Sequence, residues 1–184
     1  MKHYLKLYAG IFLASSHLIW GLTIEGITFP EVEKLQDIQL KLNGAGVRKA
    51  TVFKVKVYAA ALYLTESENN ATKIFQLKNP KLLVMKFMRD VDKEKINDAW
   101  DAAFEDSGPS FRAEIKSLKV LMPDAKEGDL FEYVFWDDRT EFKLNHKLKG
   151  TLPGGAWGKM LLNTWVGNKP PTEELKNGLL GIRE

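Results

Sequence analysis

The sequence predicts an α+β fold in which antiparallel strands come first and helices pack onto them. Three observations carry this. Alternating and β-branched stretches punctuated by turn signals run over Leu22 to Pro30, Ile38 to Val47 and Thr51 to Leu64. From Asp92 onward the apolar period lengthens, with Ile96, Ala99, Trp100, Ala103 and Phe104 recurring at helical spacing, then Phe111, Ile115, Leu118 and Met122. No repeat, low-complexity tract or linker interrupts the 184 residues, which hold enough apolar material for one core and too little length for two.

Each element has its own reason. Gly44-Ala45-Gly46 interrupts the second strand, and paired glycines in a strand mark a bulge or a close backbone approach that would re-aim Arg48. The third strand, read by parity, places Val55, Val57, Ala59, Ala61 and Tyr63 on one face. Its other face runs from Lys54 and Lys56 through Tyr58 to Ala60, Leu62 and Leu64, so Tyr58 sits where a wet surface becomes dry. Glu66 to Leu77 reads as a short helix and Lys81 to Val91 as a strand. Asp92 is a candidate N-cap for the helix ending near Gly108-Pro109, and Pro123 stops the next helix. Asp129 to Trp136 and Thr140 to Leu152 read as a hairpin across Asp137-Asp138-Arg139, with Phe142, Leu144, His146 and Leu148 on the buried face of the second arm. Ala156 to Val166 forms a helix behind Pro153-Gly154-Gly155. Pro170-Pro171 opens a last short helix that Gly181 closes.

The N-terminus is of another kind. A positive start, Met1-Lys2-His3-Tyr4-Leu5-Lys6, precedes the apolar run Leu7 to Ala14 and the small residues Ser15 and Ser16. This resembles a bacterial secretory signal, here assigned to residues 1–21, with the mature domain over 22–184 and a periplasmic or otherwise exported location. The apolar run is far shorter than the roughly 20 residues that span a bilayer. The alternative is an uncleaved anchor extended through His17 to Trp20. With Lys2 and Lys6 set aside, the 27 basic residues fall to 25 against 24 acidic, a balance that argues against nucleic-acid binding, and the lysines are interspersed with Glu and Asp rather than gathered in a run, which gives a membrane-surface patch little support. The chain has no cysteine, which excludes disulfides, thiolate zinc sites and cysteine nucleophiles.

Signatures of catalysis are sparse. There is no Gly-x-Ser-x-Gly elbow, no phosphate-binding glycine loop before a helix and no His-Glu-x-x-His. His146 is the one imidazole beyond the signal, too few for a histidine metal site or a serine triad, and its apolar neighbours mark it as a core histidine. Trp100, Phe104, Trp157 and Trp165 are expected in the helix-on-sheet core. Asp98, Asp101 and Glu105 fall on the solvated side of their helix.

The stretch Gly44-Ala45-Gly46-Val47-Arg48, followed by Lys56-Val57-Tyr58-Ala59-Ala60-Ala61-Leu62-Tyr63-Leu64, resembles the corresponding strands of chalcone isomerases and their fatty-acid-binding relatives. Leu162-Asn163-Thr164-Trp165-Val166-Gly167 and then Pro171 to Gly181 are similar to that family's closing helices. The resemblance implies an open-faced sandwich, a large antiparallel sheet covered on one face by helices with a ligand cleft between them. It implies that Arg48 holds an anionic oxygen, for which a planar, permanently charged guanidinium is suited. Tyr58, where the enzymes carry a threonine, resembles the fatty-acid-binding branch, in which Arg and Tyr grip a carboxylate together. Thr164 matches a substrate-contacting Ser or Thr. The segment Asp92 to Ala99 lacks the Tyr and Asn with which the enzymes organise the reacting ketone.

The reading that results is a binding protein with ligand residues Arg48, Tyr58 and Thr164, a small apolar carboxylate as ligand, and no metal or other cofactor. The alternatives are an isomerase or intramolecular lyase acting on an unsaturated carbonyl compound, and an envelope protein with no small ligand. An acid/base group opening onto the cleft beside Arg48 would favour the isomerase. A cleft filled by Tyr58 and the helix aromatics would favour the last. Oligomeric state has no signature in the sequence.

Overall fold

The computed structural model describes residues 21–50, 53–78 and 80–182. The signal segment assigned from sequence lies outside the described residues, Gly21 excepted. Among the described residues nine strands and five α-helices follow one another, strands leading and helices inserted later, with β3 a strand the sequence reading did not predict: β1 (Gly21–Ile24), β2 (Ile27–Pro30), β3 (Val32–Leu35), β4 (Ile38–Ala50), β5 (Val55–Leu64), α1 (Ala71–Ile74), β6 (Lys81–Phe87), α2 (Lys93–Ala103), α3 (Arg112–Leu121), β7 (Leu130–Phe135), β8 (Arg139–Leu144), β9 (Lys147–Pro153), α4 (Gly155–Val166) and α5 (Glu173–Leu179).

Strands β3 to β9 form one seven-stranded antiparallel sheet in sequence order. The helices lie on one face. Their buried side chains, among them Ile74, Trp100, Leu118, Trp157, Leu161 and Leu175, join Ala60, Leu62, Leu83 and Phe131 from the sheet in the larger core. This is the α+β open-faced sandwich expected. The opposite face is not left open: β1 and β2 form a hairpin whose Phe29, Ile24 and Ile27 pack with Ala59, Ala61, Tyr63 and Val84.

Several expectations change. Leu22 to Pro30 is two strands, because Glu25 and Gly26 both take positive φ and turn the chain. The helix expected over Glu66 to Leu77 shrinks to the single turn α1, capped by Asn70 accepting from Thr72 and Lys73. The strand from Lys81 stops at Phe87, leaving Val91 as an isolated bridge to Ala125. Asp92 occupies the N-cap of α2 without a side-chain bond; Asp124 Oδ1 accepts the Lys93 N–H instead, at 2.9 Å.

The arm expected over Thr140 to Leu152 is a hairpin of its own. Asn145 and His146 sit at φ 51° and 65°, as a two-residue turn between β8 and β9 requires. His146 is therefore no core histidine: its side chain is 76% exposed, anchored through its backbone N–H and Nδ1 to the carboxylate of Glu132. The turn also reverses parity, so Leu148 faces solvent at 57% exposure, until a register shift before Lys143 returns Leu152 to the core.

The glycines of β4 mark a close backbone approach. A Cβ on Gly46 would stand 2.8 Å from the Leu175 carbonyl oxygen, one on Gly44 would collide with Gly178, and one on Gly178 would meet the Ala45 carbonyl oxygen at 2.5 Å. Helix α5 thus rests on β4 backbone to backbone. The bulge falls one residue earlier, at Asn43, whose side chain donates to the Leu179 carbonyl (2.8 Å) and accepts the Glu68 N–H (2.8 Å).

Candidate functional site

Arg48 and Tyr58 stand directly opposite each other on β4 and β5. The guanidinium carbon lies 5.8 Å from the Tyr58 ring centroid, within cation–π range. Immediately beyond this pair the register shifts: Arg48 meets Tyr58 but Lys49 meets Lys56, so Val57 is the extra residue of a bulge. This corrects the parity reading. Val57 joins Tyr58 on the helix side of the sheet rather than Ala59 and Ala61 on the hairpin side.

Between this part of the sheet and the helices lies a cavity of about 250 Å³. Arg48, Tyr58 and Thr164, the three residues singled out from sequence, all line it. Its wall is otherwise apolar, from Val57, Met85 and Phe87 on the sheet and Ile96, Ala99 and Trp100 on α2. Trp165 of α4, Lys95 of α2, Lys169 and Pro170-Pro171 also line it. The prolines thus belong to the cavity rather than to the start of α5, which Thr172 caps by accepting the Leu175 N–H at 3.1 Å.

The electrostatics of the lining have one sign. Arg48, Lys95 and Lys169 contribute three cations and no carboxylate faces them from the wall. Lys169 is answered by Asp106 and Lys95 weakly by Asp92 at 3.7 Å, both outside the lining. Arg48, half-buried, makes no ion pair among the described residues. A cation held beside an apolar cavity is suited to an anionic group on an otherwise apolar molecule.

Tyr58 is 5% exposed. The indole N–H of Trp165 donates to its hydroxyl oxygen at 3.2 Å, and no acceptor among the described residues takes the hydroxyl proton. Burial pushes the phenol above its ordinary range, outweighing the opposing pull of Arg48 and the Trp165 hydrogen bond. Tyr58 is therefore a neutral donor with its proton unspent. Thr164 differs: its hydroxyl donates to the Leu161 carbonyl one turn back at 2.8 Å, leaving only an acceptor lone pair and a methyl group for the wall.

The aromatics expected in the core are there and form a connected support behind the site. Trp165 meets Trp100 edge-on at 5.4 Å and Tyr133 at 5.4 Å, and Phe104 packs on Trp100 and Trp157. Sequence reasoning had Trp165 as packing alone; its neighbour Thr164 drew attention, whereas the indole makes the contact that orients Tyr58. His146 lies at the β8–β9 turn, away from the lining. Among the described residues no group of three or more acidic or histidine side chains could hold a metal ion, and no helix is long and apolar enough to cross a membrane.

The chain belongs to the chalcone isomerase-like family, whose model matches residues 21–181. No curated protein sequence matches it significantly. Among solved structures it is similar to a fatty-acid binding protein of Arabidopsis thaliana, with a TM-score of 0.67 and 12% identity over 84% of this chain and 92% of that one. At that identity the likeness speaks for the fold.

Proposed function

We propose that this protein binds a small apolar carboxylate, such as a fatty acid, in the cavity between sheet and helices, without turning it over. The observation that carries this is the pair Arg48–Tyr58: a cation and an unspent neutral donor side by side at an apolar cavity whose wall bears no carboxylate. Arg48 pairs with the carboxylate, Tyr58 donates to its second oxygen, and the tail lies against Phe87, Ile96 and Trp100. The plant structural neighbour is a fatty-acid binding protein, which agrees with this reading.

The absence of turnover rests on the same wall. Its titratable groups are Arg48, Tyr58, Lys95 and Lys169; burial raises the Tyr58 phenol and the Asp106 hydrogen bond raises Lys169, so each holds its proton more tightly than usual and is a poor general acid, and Lys95 is engaged by Asp92. The exported location belongs to the proposal too and draws on the N-terminal pattern. Fusing residues 1–25 to a phosphatase that is active only outside the cytoplasm tests it; an inactive fusion refutes it.

Native mass spectrometry of detergent-free protein, beside Arg48→Ala, tests the ligand. A carboxylate-sized adduct that vanishes in the variant is expected, with affinity lowered about tenfold to a hundredfold for a lost charge-assisted hydrogen bond. Bare protein in both samples, together with no uptake of added fatty acid, refutes the reading. Steady conversion of an unsaturated ketone by the wild-type protein refutes its non-catalytic part.

A further inference from the structure

The loop joining β4 to β5 carries the most exposed large apolar side chain among the described residues, Phe53, at 86%. Isolated apolar side chains on a surface are ordinary, and by itself the ring means little. Its setting is what distinguishes it. Lys54 follows it, with φ +51° in the turn, and Lys49 and Lys56 flank it at the ends of the two strands, all three exposed. Glu25, on the turn of the β1–β2 hairpin, answers Lys56 at 2.6 Å and feels the charge of Lys49. No ion pair among the described residues neutralises Lys49 or Lys54. The result is an exposed ring with an excess of positive charge close to it along the chain.

The loop also has a fixed relation to the cavity. Ala50↔Val55, the last strand pair, is two residues beyond Arg48, or about 7 Å at the usual strand rise. Phe53 and Lys54 therefore follow just past the end of the sheet at which Arg48 and Tyr58 stand.

We infer that Phe53 and the lysines beside it form a membrane-contact element: Phe53 enters the interfacial layer of an anionic bilayer while Lys49 and Lys54 meet the lipid headgroups. An aromatic ring at headgroup depth and cations beside it match the two components of such a surface. A single exposed ring with exposed lysines near it in the chain offers little of the flat complementary area that a specific protein interface needs. A fluid bilayer requires no shape match. Docking by so few groups is weak and reversible. The inference stands on the loop alone and does not depend on what the cavity binds.

Flotation with vesicles tests it, using proteins that share one N-terminus. The wild-type chain should float with vesicles containing phosphatidylglycerol and about tenfold less with phosphatidylcholine alone or at high salt. Phe53→Ser should weaken flotation about tenfold, and Lys49→Glu with Lys54→Glu should abolish it, while melting temperature and fatty-acid uptake in lipid-free solution stay unchanged. Failure of the wild-type protein to float with either vesicle, or flotation indifferent to Phe53→Ser and to the lysine changes, overturns the inference. Loss of fatty-acid uptake by the wild-type protein, with flotation intact, would instead strike at the cavity reading alone.

Discussion

Replacing Tyr58 by Phe separates what the site needs for folding from what it needs for its ligand. The substitution removes one oxygen and leaves the ring, which packs on Phe87 at 5.8 Å. The Trp165 N–H, on a side chain 2% exposed, then loses its acceptor. A buried donor left unpaired costs about 1–3 kcal/mol. In a chain of this length 1 kcal/mol corresponds to roughly 2–4 °C in Tm, so Tyr58→Phe should melt about 2–12 °C lower. Trp165→Phe should cost as much or more, through lost packing on Trp100 and Tyr133. The double variant removes donor and acceptor together and should be less destabilised than the sum by about 1–2 kcal/mol. Urea and thermal unfolding followed by circular dichroism measure the cycle, and displacement of a fluorescent fatty acid measures the ligand. Tyr58→Phe should bind the acid about fivefold to tenfold more weakly, for one lost donor. Stability effects that add within about 0.5 kcal/mol would show that the two side chains do not act as a pair and would refute the argument.

Gly178→Ala drives a methyl group into the Ala45 carbonyl and the Gly46 Cα, so α5 must lift from β4; a loss of about 2–3 kcal/mol, or about 5–10 °C in Tm, is expected, and an unchanged melt would refute the backbone contact. Lys81 is 4% exposed, its ammonium donates to the Leu77 carbonyl at 2.8 Å, and burial pulls its pKa down to about 8. The unfolded chain therefore holds a proton that the folded one releases between about pH 8 and 10, so stability attributable to this group rises with pH across that window, by roughly 1 kcal/mol per unit, and is absent below it. Urea unfolding at several alkaline pH values checks this, and Lys81→Met should flatten the slope. In a homologous series of saturated acids, affinity should rise about fourfold per methylene, near 0.8 kcal/mol each, until the cavity of about 250 Å³ is filled and then level off; a flat series would place the tail outside it.

The order of elements was legible in the sequence because a meander pairs each strand with its neighbour in the chain, so local periodicity and turn signals suffice. Where turns were short, periodicity misled. An alternation running from Thr140 to Leu152 conceals a two-residue turn, and only the left-handed backbone at Asn145 and His146 reveals that the chain reversed there. The convergence of Arg48, Tyr58 and Thr164 on one cavity was foreseen from the family resemblance, not from spacing, since they come from β4, β5 and α4. The indole that engages Tyr58 was out of reach: Trp165 lies 107 residues away, and no local pattern tells a packing tryptophan from one whose N–H has a specific partner.

The seat of α5 on β4 joins Gly44 and Gly46 to Leu175 and Gly178, and Asn43 to Leu179, about the longest sequence separations in the fold. Contacts of that span form late, because the loop they close is nearly the whole domain. A chain emerging N-terminus first therefore presents β4, with its gap where side chains are missing, well before the helix that fills it has been made. The C-terminal helix acts as a clasp, and the strand that aims Arg48 reaches its final setting only at the last step of folding. Changes in the final dozen residues should then slow maturation of the site out of proportion to their distance from it.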